Sequence, residues 1–279
     1  MKKYALVPGL LAALLLAGCS SDQPTAPSLP AAIDGNAFQR PEFIDTRPEA
    51  VQREFTLTAA DVFAVVPVSP DKAGGKYALV IGISDYAGTT HDLTYCDDDA
   101  RDWRDYLAGQ GYTVTILLDT GATKAAIEAA VANLVSLSIA GNEIAFAYSG
   151  HGSRGNMIST DLYYLSSTWF GGMFTSVGST KMSFNFDACQ IGAFGTALNR
   201  AGRVIALASD TKKYSYDGTA AMANGVFTYY QMLGFGQQGY VYAEDDDAYA
   251  VQQMIAWAAT ARVKVAPSYI DSYVGSLDY

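Results

Sequence analysis

The chain has 279 residues, half of them hydrophobic, with a formal charge of −10. That length suffices for one large domain with a substantial core or for two small ones, and a single domain is the simpler expectation. An acidic surface of this kind repels phosphate backbones and anionic headgroups and attracts cationic ligands, which argues against nucleic acid as a partner.

Lys2 and Lys3 precede an apolar run from Ala5 to Ala17, too short to span a bilayer as a mature helix and suited to a secretion signal. The run ends in Leu16-Ala17-Gly18-Cys19, which resembles the lipobox of bacterial lipoproteins. The resemblance implies that residues 1–18 are removed and that an acylated Cys19 anchors the protein to a lipid membrane. Ser20 at the next position implies an outer-membrane destination in the cell envelope, by the same resemblance. Residues 19–70 hold most of the prolines and read as a tether or pro-segment, with one added strand within Phe55–Val68.

A domain over 71–279 follows, whose apolar runs alternate with helical patterns, the signature of an α/β fold with a mostly parallel central sheet flanked by helices on both faces. Tyr77–Ile83 is a continuous apolar run and reads as a strand buried on both sides. In Asp97–Gly109 the residues Ala100, Trp103 and Leu107 share one helical face, and the acids Asp97, Asp98 and Asp99 stand where the helix dipole favours them. Strands are expected at Thr113–Leu118, Glu143–Tyr148, Lys181–Phe186 and Arg203–Ala208. Helices are expected at Thr123–Leu137, from about Asn224 to Leu233 and from about Asp245 to Ala261.

In open α/β sheets ligands bind beyond the carboxyl ends of the strands, so the polar residues just past these runs are the first suspects. His151 follows one strand and Cys189 another, which brings both to one rim. A thiol is mostly protonated at neutral pH, and a nearby imidazole can take its proton to give the attacking thiolate. The amides of Gly152 and Cys189 are candidates for an oxyanion hole, and a helix beginning soon after Gln190 would lower the thiol pKa further. A lone cysteine at a strand end is also a common core residue, and Cys96 with Cys189 could form a disulfide in an exported protein.

Tyr148-Ser149-Gly150-His151-Gly152 followed by Asp187-Ala188-Cys189 resembles the caspase-type cysteine peptidases, metacaspases and their bacterial relatives above all. The resemblance runs from about Lys76 to Phe235 and includes Ala78-Leu79-Val80-Ile81-Gly82-Ile83 and Tyr95-Cys96-Asp97-Asp98-Asp99-Ala100. It implies a caspase-haemoglobinase-like fold, a thiol protease with a His151–Cys189 dyad, and a peptide or protein substrate. Metacaspases cleave after Arg or Lys, and their pocket maps here onto Cys96, Asp99, Ser149 and Asp187. A buried cation needs paired carboxylates to offset its desolvation, and these motifs carry acids where Asp-specific caspases carry arginines. A Cys96–Cys189 bridge in that pocket would disable the enzyme.

Other signals carry less. His91 reads as a solvated loop residue. Gly234 to Gly239 has the spacing of a dinucleotide loop but follows a helix, so it reads as a helix stop. Glu244 to Asp247 read as acids at a helix start. Many metacaspases need calcium through acids after the histidine box, but Ser153–Trp169 contains only Asp161, so no calcium site and no other cofactor is carried over. Arg40, Arg47, Arg53, Lys72, Arg154, Lys212 and Lys213 are all candidates for self-cleavage, with none favoured. The aromatic residues of Tyr163–Phe174 and Tyr214–Tyr216 either line a substrate cleft or cover core. The rival readings are a clostripain- or gingipain-type peptidase, a noncatalytic surface-displayed binding domain of the same fold, and a nucleotide-binding module, which lacks a phosphate loop after any strand.

Overall fold

The computed structural model describes residues 35–49, 74–88 and 90–279. The leader, Cys19, the strand expected within Phe55–Val68, and the cleavage candidates Arg53 and Lys72 lie outside the described residues. In chain order, β1 (Lys76–Gly82), α1 (Cys96–Gly109), β2 (Thr113–Leu118), α2 (Lys124–Leu137) and β3 (Glu143–Ser149) form the first half. Next come the short strands β4 (Gly152–Ser153), β5 (Asn156–Ile158) and β6 (Tyr164–Ser166), then α3 (Ser167–Met173). The second half is β7 (Lys181–Asp187), α4 (Ala193–Leu198), β8 (Arg203–Leu207), α5 (Val226–Leu233), α6 (Ala243–Ala261) and β9 (Ser268–Asp271).

The main sheet has the order β2-β1-β3-β7-β8-β9, parallel except for β9. Side chains alternate across each strand. Ala78 and Val80 therefore join Trp103 and Leu107 of α1 in one apolar layer, while Leu79 and Ile81 join Ile127 and Val131 of α2 in the other. Phe146, Phe184 and Phe186 fill the second layer with Phe170, Phe174 and Phe194. The short sheet β4-β5-β6, the short helix α3 and β9 were not foreseen, because pieces of this length leave no periodicity to read.

Two local features place the functional rim. β1 ends at Gly82, where a β-carbon would lie 2.2 Å from the Cys96 carbonyl oxygen. Only glycine allows α1 to start that close to the strand, and this start delivers Cys96 and Asp99. The α1 entry is fixed by Ser84, whose hydroxyl accepts from the Asp97 amide at 3.1 Å and donates to Oδ1 of Asp97 at 2.6 Å. The other feature is the β3/β7 register, which pairs Ser149 with Asp187. The residues that follow each strand, His151 and Cys189, thereby leave the sheet side by side.

Candidate active site

His151 is fixed through its backbone. Its amide donates to the Tyr86 hydroxyl at 2.7 Å, and its carbonyl accepts from the Tyr148 hydroxyl at 2.7 Å. Nε2 lies 2.7 Å from the His91 carbonyl oxygen. A carbonyl only accepts, so Nε2 carries the proton and the neutral ring leaves Nδ1 bare. Nδ1 is buried with no hydrogen-bond partner. His91, expected as a solvated loop residue, is instead half-buried, and its carbonyl sets the tautomer of His151.

Cys189 sits in a sharp turn. Gln190 has φ +51°, a left-handed conformation costly for a side chain of its size, and its carbonyl, amide and side chain are tied to Gly155, Lys213 and Arg154. The Cys189 Sγ accepts from the Ser215 amide at 3.3 Å. A β-carbon at Gly152 would lie 2.0 Å from the Cys189 carbonyl oxygen, so the two main chains touch. The helix expected after Gln190 begins at Ala193 but is six residues long. It does not decide the thiol pKa, which burial pushes up to about 12. Burial likewise lowers His151 to about 4. Thiol and imidazole are thus both neutral in this closed state.

Asp99, Ser149 and Asp187 converge on one acidic pocket. Asp99 accepts from the Ser149 hydroxyl at 2.6 Å and the Gly225 amide at 2.8 Å. Asp187 accepts from the Thr228 amide and hydroxyl, both at 3.1 Å, and from the Ser215 hydroxyl. Burial, reinforced by the Asp187 carboxylate, pushes Asp99 well above the usual carboxyl range, against the pull of the guanidinium described next. Two buried carboxyl groups this close call for a cation between them. Cys96 lies at the pocket with a free thiol, as does Cys189, and burial raises the Cys96 pKa well above its ordinary value.

That cation is supplied by the chain itself. Arg40, fully buried, places its guanidinium in the pocket. Nη1 donates to the Asp187 carbonyl and lies 3.1 Å from its carboxylate, Nη2 lies 3.3 Å from both Asp99 and Ser149, and Nε donates to Oδ1 of Asp217 at 2.9 Å. Burial opposes the charge, but the surrounding acids, led by Asp187, outweigh it and hold the pKa above the ordinary value. Gly225 forms the wall, where a β-carbon would stand 2.3 Å from Nη2 and 2.4 Å from Oδ2 of Asp187.

Main-chain pairing carries the segment through the cleft. Arg40 N donates to the Ser215 carbonyl at 3.2 Å, Gln39 bridges Tyr216 in antiparallel fashion, and Asp217 N donates to the Phe38 carbonyl at 2.8 Å. The pairing is a short antiparallel bridge, in which the segment is held by its main chain as an extended peptide. The Arg40 carbonyl oxygen is 4.0 Å from the Cys189 Sγ. Beyond Pro41, the Phe43 ring lies 5.7 Å from that of His151, 5.0 Å from His91 and 5.6 Å from Tyr164.

Of the residues singled out in the sequence, the structure brings Cys96, Asp99, Ser149, His151, Gly152, Asp187 and Cys189 to one rim. Arg40 stands apart from the other basic residues in filling the pocket. Asp217, Ser215 and Gly225 went unseen because the 209–225 loop has no periodicity, and Thr228 of α5 because only its hydrogen bonds to the distant Asp187 bring it to the pocket. Of the aromatic residues, Trp169, Phe170 and Phe174 are core, while Tyr214 and Tyr216 face the inserted segment. Glu244 accepts from the Leu277 amide near the start of α6, whereas Asp246 and Asp247 are buried rather than solvated. Among the described residues no group of three or more His, Cys, Asp or Glu is placed to hold a metal ion. Asp161 is engaged by the Ser159 hydroxyl and the Lys124 amide.

A family model of the caspase domain matches residues 75–233, more than half of the chain. No curated protein matches the sequence. The fold is similar to the crystal structure of protein GSU0716 from Geobacter sulfurreducens, with a TM-score of 0.56 and 16% identity, covering 74% of this chain and 97% of that one.

Proposed function

Since the chain belongs to the caspase family, we propose that it is a cysteine endopeptidase cleaving after Arg or Lys, with Cys189 as nucleophile and His151 as base. The observation that carries this reading is Arg40, with its guanidinium among Asp99, Asp187 and Asp217 and its carbonyl oxygen 4.0 Å from Sγ. A bound substrate would lie the same way.

In the proposed reaction Nδ1 of His151 takes the Cys189 thiol proton, and the thiolate attacks the carbonyl carbon of the basic residue. The amides of Gly152 and Cys189 hold the oxyanion. Collapse breaks the C–N bond, the leaving amine takes the proton from His151, and a thioester remains. Water, deprotonated by His151, then attacks the thioester, and the proton returns to sulfur as the acid departs.

The same geometry makes the folded enzyme self-blocked, because its own chain fills the pocket and keeps the dyad dry. Pro41 follows the residue at the nucleophile; its ring carbon replaces the amide hydrogen, so the leaving nitrogen has no N–H to donate and the ring crowds the scissile bond. The inserted segment therefore behaves as a tethered inhibitor. The lipobox resemblance at Cys19 extends the proposal to a lipid-anchored envelope protein, and incorporation of labelled palmitate that is lost in Cys19→Ala would support it.

The activity is tested with the soluble chain starting after Cys19 and carrying Arg40→Ala, on fluorogenic peptides with Arg, Lys or Asp before the reporter, with and without calcium. Cleavage after Arg or Lys that vanishes in Cys189→Ala is expected. Cleavage after Asp alone would contradict the pocket, and no cleavage would favour a binding domain of caspase fold.

A further inference from the structure

Three carboxylates meet the Arg40 guanidinium, and they are built differently. Asp99 and Asp187 each accept from two or more protein donors, so their side chains are held in place whatever fills the pocket. Asp217 meets the ligand at one specific atom, Nε, at 2.9 Å. We propose that Asp217 makes this pocket selective for arginine over lysine, an inference that rests on reading the pocket as the site of the residue before the cleaved bond.

The argument is one of atoms. A guanidinium presents N–H groups along two edges and at Nε, and here each direction has its own acceptor. A lysine side chain has a methylene where arginine has Nε. Its ammonium can still reach toward Asp99 and Asp187, but Oδ1 of Asp217 would then face carbon. That carboxylate is 13% exposed, so water replaces the lost charge-assisted bond only in part.

Asp217 is also held in place for this role. Its amide donates to the Phe38 carbonyl, so the residue that reads Nε also pairs with the ligand's main chain two residues upstream. Its other side is pinned by an antiparallel bridge to Gly225, the wall of the pocket, and by the Gly218 amide donating to the Asn224 carbonyl at 2.8 Å. A site built to hydrogen-bond a particular N–H discriminates strongly against a ligand that lacks it, because its own polar group is left unpaired.

The test uses the soluble chain carrying Arg40→Ala and Cys189→Ala, so the pocket is vacated and nothing turns over. Its ligands are two peptide amides that differ only at the end, Phe-Gln-Arg and Phe-Gln-Lys, the first copying residues 38–40, and binding is followed by calorimetry. We expect the arginine peptide to bind roughly tenfold tighter or more. Asp217→Ala should bring the two affinities within about threefold by weakening the arginine peptide alone, with Asp217→Asn, which keeps an acceptor oxygen, falling between. Equal affinities in the parent, or an equal loss for both peptides in variants of unchanged melting temperature, would overturn the inference and leave the basic pocket standing. Failure of both peptides to bind the parent would contradict the pocket reading, and the inference with it.

Discussion

The carbonyl oxygen of Arg40 stands 4.0 Å from the sulfur of Cys189, with Pro41 next in the chain. On the proposed reading, an arginine paired through its main chain in an acidic pocket lies as a substrate would, and the following proline is what keeps the segment from being cut. Pro41→Ala should therefore turn the segment into a self-cleavage site. On storage the variant is expected to yield a new N-terminus at residue 41, by mass spectrometry, while the parent and Pro41→Ala/Cys189→Ala stay intact. An uncut Pro41→Ala chain would show that something other than proline protects the bond.

Gly225 gives a prediction with two opposite readouts. Its backbone has φ −58°, which alanine adopts readily, but the added methyl would collide with Nη2 of Arg40 and with Asp187. Gly225→Ala should expel Arg40, hydrate Cys189 and let its pKa fall from about 12 toward the ordinary thiol range. Alkylation by iodoacetamide at neutral pH should rise by roughly tenfold or more, while the pocket no longer accepts basic peptides. Slow alkylation in this variant would mean that Cys189 is buried by more than the inserted segment.

Asp247 offers a stability test far from the chemistry. Burial raises its pKa to about 7, and its carboxylate accepts from the Gln231 amide at 2.9 Å. Between about pH 4 and 7 the folded chain keeps a proton that the unfolded chain has released. The stabilisation is thus fully present below the unfolded pKa and is lost as pH rises through 7. Asp247→Asn keeps the acceptor and removes the titration, so it should gain on the parent with rising pH, by on the order of 2–4 kcal/mol by pH 8. Urea unfolding of the two proteins at pH 4.5 and pH 8 measures this, and a constant difference would contradict it.

The parts of this site that sit at the ends of long buried strands were legible in the sequence. The apolar runs of β1, β3 and β7 announce their own ends, and His151, Asp187 and Cys189 follow at once. The pocket residues that arrive from the 209–225 loop were not, since Asp217 is placed by pairing with Phe38 and Gly225 by close packing, and neither leaves a local pattern. Arg40 looked like any basic residue in a proline-rich stretch. Its one local signal was the proline immediately after it, which matters only once the residue is known to reach the nucleophile.

The most direct test of the account compares the soluble chain with its Arg40→Ala variant on one fluorogenic peptide ending in arginine, under reducing conditions. The account predicts at least roughly tenfold faster cleavage by the variant, because its pocket is open and its thiol hydrated, and complete loss of that activity in Arg40→Ala/Cys189→Ala. Equal rates for the two proteins, or cleavage that survives loss of Cys189, would contradict it.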